Sequence, residues 1–163
     1  MNDVTGTIAI SASALRAERL RLDVIASNLA NATTTRTPEG GPYRRRNVVF
    51  MAEPLESDFG ATLEALSDRG AELGAELGAR LGAGLGARRG VEVSEVVEDS
   101  SPLHMVFDPG HPDANPEGYV AYPNVNPVAE MVDLMAATRA YEANVQAVNA
   151  TKRMSEAALS IGG

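Results

Sequence analysis

Two histidines and two aspartates, His104, Asp108, His111 and Asp113, fall within ten residues of one another, and imidazole with carboxylate is a donor set able to hold a divalent metal. Spacing alone gives them no shared face. His104 alternates in facing along a strand-like run, and the other three sit in a Pro/Gly turn. Arg44, Arg45 and Arg46, with Arg36 nearby, make the basic cluster of the chain. A nucleic-acid surface would interleave such charges with aromatic rings, and only Tyr43 is adjacent, so no nucleic-acid partner is expected. The stretch 82–90, Gly-Ala-Gly-Leu-Gly-Ala-Arg-Arg-Gly, has the glycine density of a dinucleotide loop. Its last glycine is wrongly spaced, and it follows a repeat rather than a buried strand. The sole lysine, Lys152, stands in no phosphate-loop context, and the absence of cysteine excludes a thiolate metal site, a disulfide framework and a Cys nucleophile. The chemistry-bearing residues thus point away from an enzyme and from any cofactor. A small metal- or ligand-binding domain using His104, Asp108 and His111 stands as the alternative reading.

Length and composition sharpen this. The 163 residues suffice for one compact domain or a small domain with extended arms. Hydrophobic residues make up 44%, which argues against wholesale disorder, yet seven aromatics and no Trp leave little to anchor a thick core. Alanine supplies 26 residues, favouring helices with thin side chains. The net charge of -8 is uneven: residues 1–50 carry seven Arg against four acids, and residues 51–100 four Arg against eleven. That distribution does not suit a general nucleic-acid binder. No run approaches 18 uninterrupted apolar residues, so no membrane span is expected, and the start of the chain lacks the basic segment of a cleavable secretory signal.

The elements that must position these residues follow from periodicity. Ile8, Leu15, Leu22 and Leu29 recur every seven residues, with Ala12, Ile25 and Ala26 on the intervening turns, and predict an amphipathic helix over about residues 6–31. Asn31, the run Thr33-Thr34-Thr35, then Pro38, Gly40, Gly41 and Pro42 stop it. Beyond Pro127, the positions Met131, Leu134, Thr138, Tyr141, Val145 and Val148 step by threes and fours and predict a second helix over about 128–160. Between the helices, short β-type runs at 47–51, 91–97, 103–107 and 118–122 are divided by turn residues, which predicts a small antiparallel sheet. Residues 71–90 form a tandem array with Leu73, Leu77, Leu81 and Leu85 four apart, a stripe that drifts by about 40° per repeat and cannot stay on one core face.

The expected fold is therefore α+β: long N- and C-terminal helices pairing as a coiled coil, with a small antiparallel β region between them. Three parts are expected: 1–34 with 127–163 as a terminal helical assembly unit, 35–59 with 91–126 as a β domain, and 60–90 as a Gly/Ala/Leu-rich insertion. Helices of roughly 39 and 50 Å overreach a β region about 25–30 Å across. Paired with each other they still leave Ile10, Val24, Val132 and Met135 needing cover, which points to other copies or related subunits.

The segment Ser27-Asn28-Leu29-Ala30-Asn31-Ala32, continuing to Phe50, resembles the N-terminal signature of bacterial flagellar rod, hook and hook-associated proteins. The run from Gly118 through Pro123-Asn124-Val125-Asn126-Pro127-Val128-Ala129-Glu130-Met131-Val132, and then Ala140-Tyr141-Glu142-Ala143-Asn144, resembles the other half of that pattern. The short length and the stretch 35–46 are most similar to the proximal rod members. The resemblance implies a non-enzymatic subunit of the periplasmic basal-body rod, which serves as drive shaft and export channel for motility. It implies terminal helices as the inner layer, partners among other rod proteins and copies of itself, and export through the flagellar type III apparatus without signal cleavage. The residues expected to meet other subunits are Leu15, Leu22, Ile25, Asn28, Leu29 and Asn31 on the first helix, and Met131, Leu134, Tyr141, Asn144, Val145 and Val148 on the second. Asn28 stands out because a poor helix former well inside a heptad pattern needs a reason. An isolated coiled-coil adaptor is a third reading.

Overall fold

A computed structural model describes residues 2–54 and 89–161 of the chain. Helix α1 spans Asn2–Ala30 and helix α2 spans Pro127–Ile161. Between them lie β1 (Arg46–Pro54), β2 (Arg89–Glu98), β3 (His104–Phe107) and β4 (Tyr119–Tyr122). The insertion expected at 60–90, with most of its tandem Leu array, falls outside the described residues apart from the start of β2.

The helix ends use the chemistry their sequences offer. The side-chain oxygen of Asn126 accepts from the N–H groups of Val128 and Ala129, and Pro127 occupies the first helical position, where a missing N–H costs nothing. At the other boundary the Asn31 amide donates to the Ser27 carbonyl, and the Thr34 hydroxyl donates back to Asn31, closing the last turn of α1.

The two helices pack antiparallel, the C-terminal end of α1 meeting the N-terminal end of α2, as the pair Asn28–Glu130 shows. The contact differs from the large-residue seam expected from periodicity. Apart from Ile25, the most buried positions of the two helices are small or polar: Ser11, Ser13, Ala17 and Asn28 on α1, and Glu130, Ala137 and Thr151 on α2. Small side chains let the axes approach closely, so Leu15, Leu22, Leu29, Leu134, Tyr141, Val145 and Val148 flank the contact half-buried, and Met131 and Thr138 lie outside it. Polar residues on this inner face of α2 satisfy themselves: Asn144, Thr151 and Ser155 each donate to the carbonyl four residues earlier.

The strands form two separate two-stranded antiparallel sheets rather than the single sheet expected. Sheet β1–β2 is a long ribbon whose register shifts between Val49 and Phe50, leaving Ser94 as the extra residue. It lies along α1, pinned where the Val91 N–H donates to the Ser13 hydroxyl. Sheet β3–β4 is a short hairpin. Among the described residues Val49, Phe50, Met51, Met105, Phe107 and Tyr119 of the two ribbons all stay exposed.

In the β3–β4 hairpin Gly118 has φ +83°, and a Cβ there would meet the Phe107 ring at 2.9 Å and Pro109 at 3.3 Å. Gly118→Ala is expected to destabilise the chain by about 2 kcal/mol through backbone strain and the clash together. Urea denaturation checks this; an unchanged midpoint contradicts it.

Candidate functional site

The described residues hold two features that can do work: a buried polar junction where the helices meet, and a set of uncovered apolar faces. The junction starts at Asn28, near the end of α1, which is 1% exposed. Its amide donates to the Arg46 carbonyl at 2.9 Å and to Glu130 at 3.1 Å, and its oxygen accepts from the Arg46 N–H and the Tyr43 hydroxyl, both at 2.9 Å. All the hydrogen-bonding capacity of this side chain is used inside the chain. Asn28 was expected at a subunit contact; it is instead an intramolecular clamp, which is why a poor helix former is tolerated in that turn.

Glu130, in the first turn of α2, is fully buried. Its second carboxylate oxygen accepts from the Arg45 guanidinium, which also reaches Asp133 at 3.3 Å. The N-terminal end of α2, where the helix dipole is positive, lies beside this side chain. The Arg45 N–H donates to Asn124, whose own amide donates to the carbonyls of Asp99 and Ser101. One connected set of side chains thus ties α1, the 43–46 segment, the β2–β3 connection and the start of α2.

The basic cluster divides accordingly. Arg45 is spent in the junction. Arg46 lies over the Tyr43 ring at 5.6 Å and pairs with Glu98, and Arg44 is exposed. An open cleft of about 350 Å³ lies beside the junction, walled by Val24, Ile25, Val48 and Phe50 and rimmed by Arg21, Arg46 and Asp133.

The candidate metal ligands do not converge. His104 is exposed on β3. The Asp108 carboxylate accepts from the Gly110 N–H of its own turn. His111 accepts from the Asp113 N–H through Nδ1 and packs against Tyr122, while the Asp113 carboxylate is held by the Thr35 hydroxyl at 2.8 Å. Among the described residues no group of three or more such side chains is placed to hold a metal ion. The described geometry gives the metal reading no support: Asp113 fastens the 108–118 turn to Thr35, while Asp108 and His111 hold the turn itself. In the β2–β3 turn, the Ser101 hydroxyl and then its N–H hold the Asp99 carboxyl below its ordinary range.

The second feature is what the chain leaves uncovered. Val128, Met131, Val132 and Met135 form an exposed apolar row at the start of α2, and Met154 and Leu159 continue exposed toward its end. No described helix is long and apolar enough to cross a membrane, so these residues do not make a span.

Residues 117–161 match the family model described as flagellar basal body rod FlgEFG protein C-terminal, and residues 8–36 match the model described as flagella basal body rod protein. The chain is 45% identical over 162 residues to the flagellar basal-body rod protein FlgC of Bacillus subtilis, covering 96% of each. It belongs to the FlgC family of flagellar basal-body rod proteins. The FlgC protein of Borreliella burgdorferi is 41% identical, with 95% of each chain covered, and that of Salmonella typhimurium is 38% identical, with 94% of this chain and 93% of the relative covered. The two family-model matches contain opposite halves of the junction, Asn28 in one and Glu130 in the other. Tyr43, Arg45 and Asn124 were not singled out from the sequence as junction residues. The available signal was polar side chains crowded beside two helix boundaries, and nothing in the spacing shows that the boundaries meet.

Proposed function

We propose that this chain is set into the proximal part of the rod by its terminal helices, whose uncovered faces are completed by neighbouring subunits. The chain is a structural subunit of the flagellar basal-body rod and assembles with other rod components. The observation that carries the reading is the row Val128, Met131, Val132 and Met135, each at least half exposed on a helix that the buried junction holds in place. Large apolar side chains at that exposure lose contact with water only when a partner arrives. Passage through the type III export apparatus to the periplasmic rod, without cleavage of the chain, is part of the same reading and is supported by family membership. The drive-shaft and channel-lining roles of the helices belong to it as well.

Met131→Glu/Met135→Glu tests it, because both positions are exposed and the free chain should keep its unfolding midpoint. The expected result is loss of the chain from purified basal bodies, judged by immunoblot, with loss of swimming in soft agar. Wild-type spreading with normal incorporation overturns the reading.

A further inference from the structure

The solvent stripe of α1 and that of α2 match each other in size and charge, although within one chain they face away from each other. On α1 the exposed positions include Ala30, Ala26, Asp23 and Arg19; on α2 they include Met131, Met135, Arg139 and Glu142. Among the described residues none of the four charged groups, Asp23, Arg19, Arg139 or Glu142, has an ion-pair or hydrogen-bond partner. Laid antiparallel, the stripes run in step: Met131 against Ala30, Met135 against Ala26, Arg139 against Asp23, and Glu142 against Arg19. From first to last each spans twelve residues, eleven helical steps or about 16 Å.

We propose that the outer face of α2 docks antiparallel on the outer face of α1 of a second copy in this register, a contact that deepens the rod-subunit reading and rests on it. Two large side chains close over two small ones, which lets the helices approach as they do within the chain. Beyond them two opposite-charge pairs fix the register. A slip by one residue turns the stripes apart, and a parallel arrangement that keeps the methionines over Ala26 and Ala30 loses this charge pairing. The two faces differ, so every copy offers one donor and one acceptor face, and the contact propagates instead of closing on itself as a two-fold dimer. It also continues the intramolecular pairing of α1 with α2, giving helices that alternate from copy to copy.

The native chain contains no cysteine, so introduced thiols report on this contact without background. The full chain carrying Ala26→Cys and Met135→Cys is expressed in a strain lacking the native copy, and basal bodies are oxidised and run on a non-reducing gel. Within one chain the two thiols lie on faces turned away from each other, beyond disulfide reach. The expected result is a ladder of linked copies, absent from each single-Cys variant and from the off-register pair Ala12→Cys/Met135→Cys. Adding Arg139→Glu should lower the yield about 2- to 5-fold, and Asp23→Arg should restore it. Dimers from Met135→Cys alone, equal ladders from the off-register pair, linkage only to a different rod protein, or incorporated chains that never crosslink would each overturn the proposal. In the last case the rod reading stands, because the chain is in the basal body. Absence of the unsubstituted chain from basal bodies would instead remove the rod reading itself, and with it this contact.

Discussion

Asn28→Ala is expected to cost roughly 3 kcal/mol and to lower the unfolding midpoint by roughly 10 °C. The change removes the side-chain amide, but lost volume is not what makes it expensive. It strands the Arg46 N–H, the Arg46 carbonyl and one oxygen of Glu130, and leaves the Tyr43 hydroxyl only the Ser27 hydroxyl at 3.4 Å, in a site where Asn28 is 1% exposed. Each buried group left without a partner carries a desolvation penalty of about 1–3 kcal/mol, partly relieved where water can enter from the adjoining cleft. Asn28→Asp is a sharper test, since it keeps the shape and the acceptor oxygen. It replaces the amide facing Glu130 with a second carboxylate, and two anions in one buried site cannot both be accommodated. Asn28→Asp should therefore be at least as damaging at neutral pH as Asn28→Ala. Thermal unfolding followed by circular dichroism measures both; a midpoint within 2 or so degrees of wild type, about 0.5 kcal/mol, would show that the junction is not what holds the helix ends.

Arg45→Met should be nearly as costly, about 3 kcal/mol, whereas Glu130→Leu should cost less, about 1–2 kcal/mol. The asymmetry comes from burial. The Glu130 side chain is 1% exposed and the Arg45 side chain 26% exposed. Without Arg45, Glu130 remains a buried carboxylate with Asn28 as its side-chain donor. Without Glu130, the guanidinium keeps Asp133 and reaches water. Combining the two substitutions removes both charges, so the double variant should be more stable than the sum of the singles predicts, with a coupling of about 2 kcal/mol. Urea denaturation of the four chains at pH 7 gives this cycle directly. Additive losses would mean that the pair contributes through shape alone.

Both substitutions also bear on assembly. The junction fixes the start of α2, and the exposed row Val128, Met131, Val132 and Met135 is carried on that same turn and the next. A chain with a loosened junction presents this row on a fraying helix, so ordering it adds to the cost of docking. Motility should accordingly fall more steeply than the loss of folding stability alone accounts for.

What could be seen in the sequence was whatever depends on near neighbours. The heptad spacing from Ile8 to Leu29, the Asn126-Pro127 start and the Asn31 stop placed both helices within a few residues of their observed bounds. The turn residues around Asp108-Pro109-Gly110 and Asn115-Pro116 placed the short hairpin. Local rules reach this far because backbone hydrogen bonds and capping groups act over three or four residues.

The choice of contact face was another matter. Counting large apolar residues put Met131 at the seam, yet the helices meet over Ala17, Ala137 and Thr151, with Met131 outside. Periodicity gives the spacing of a stripe but not which of two adjacent stripes a partner takes, and here the narrower one wins because it permits closer approach. The junction lay further out of reach. Asn28 and Glu130 are 102 residues apart, and each alone looks like an ordinary polar residue near a helix end. Helices, turns and family were thus written in the sequence itself, through short-range pattern and motif. Only the tertiary structure decided that Asn28 faces inward, that Arg45 is the counter-ion of the buried Glu130, and that the apolar row on α2 stays exposed, because burial depends on which distant segments meet.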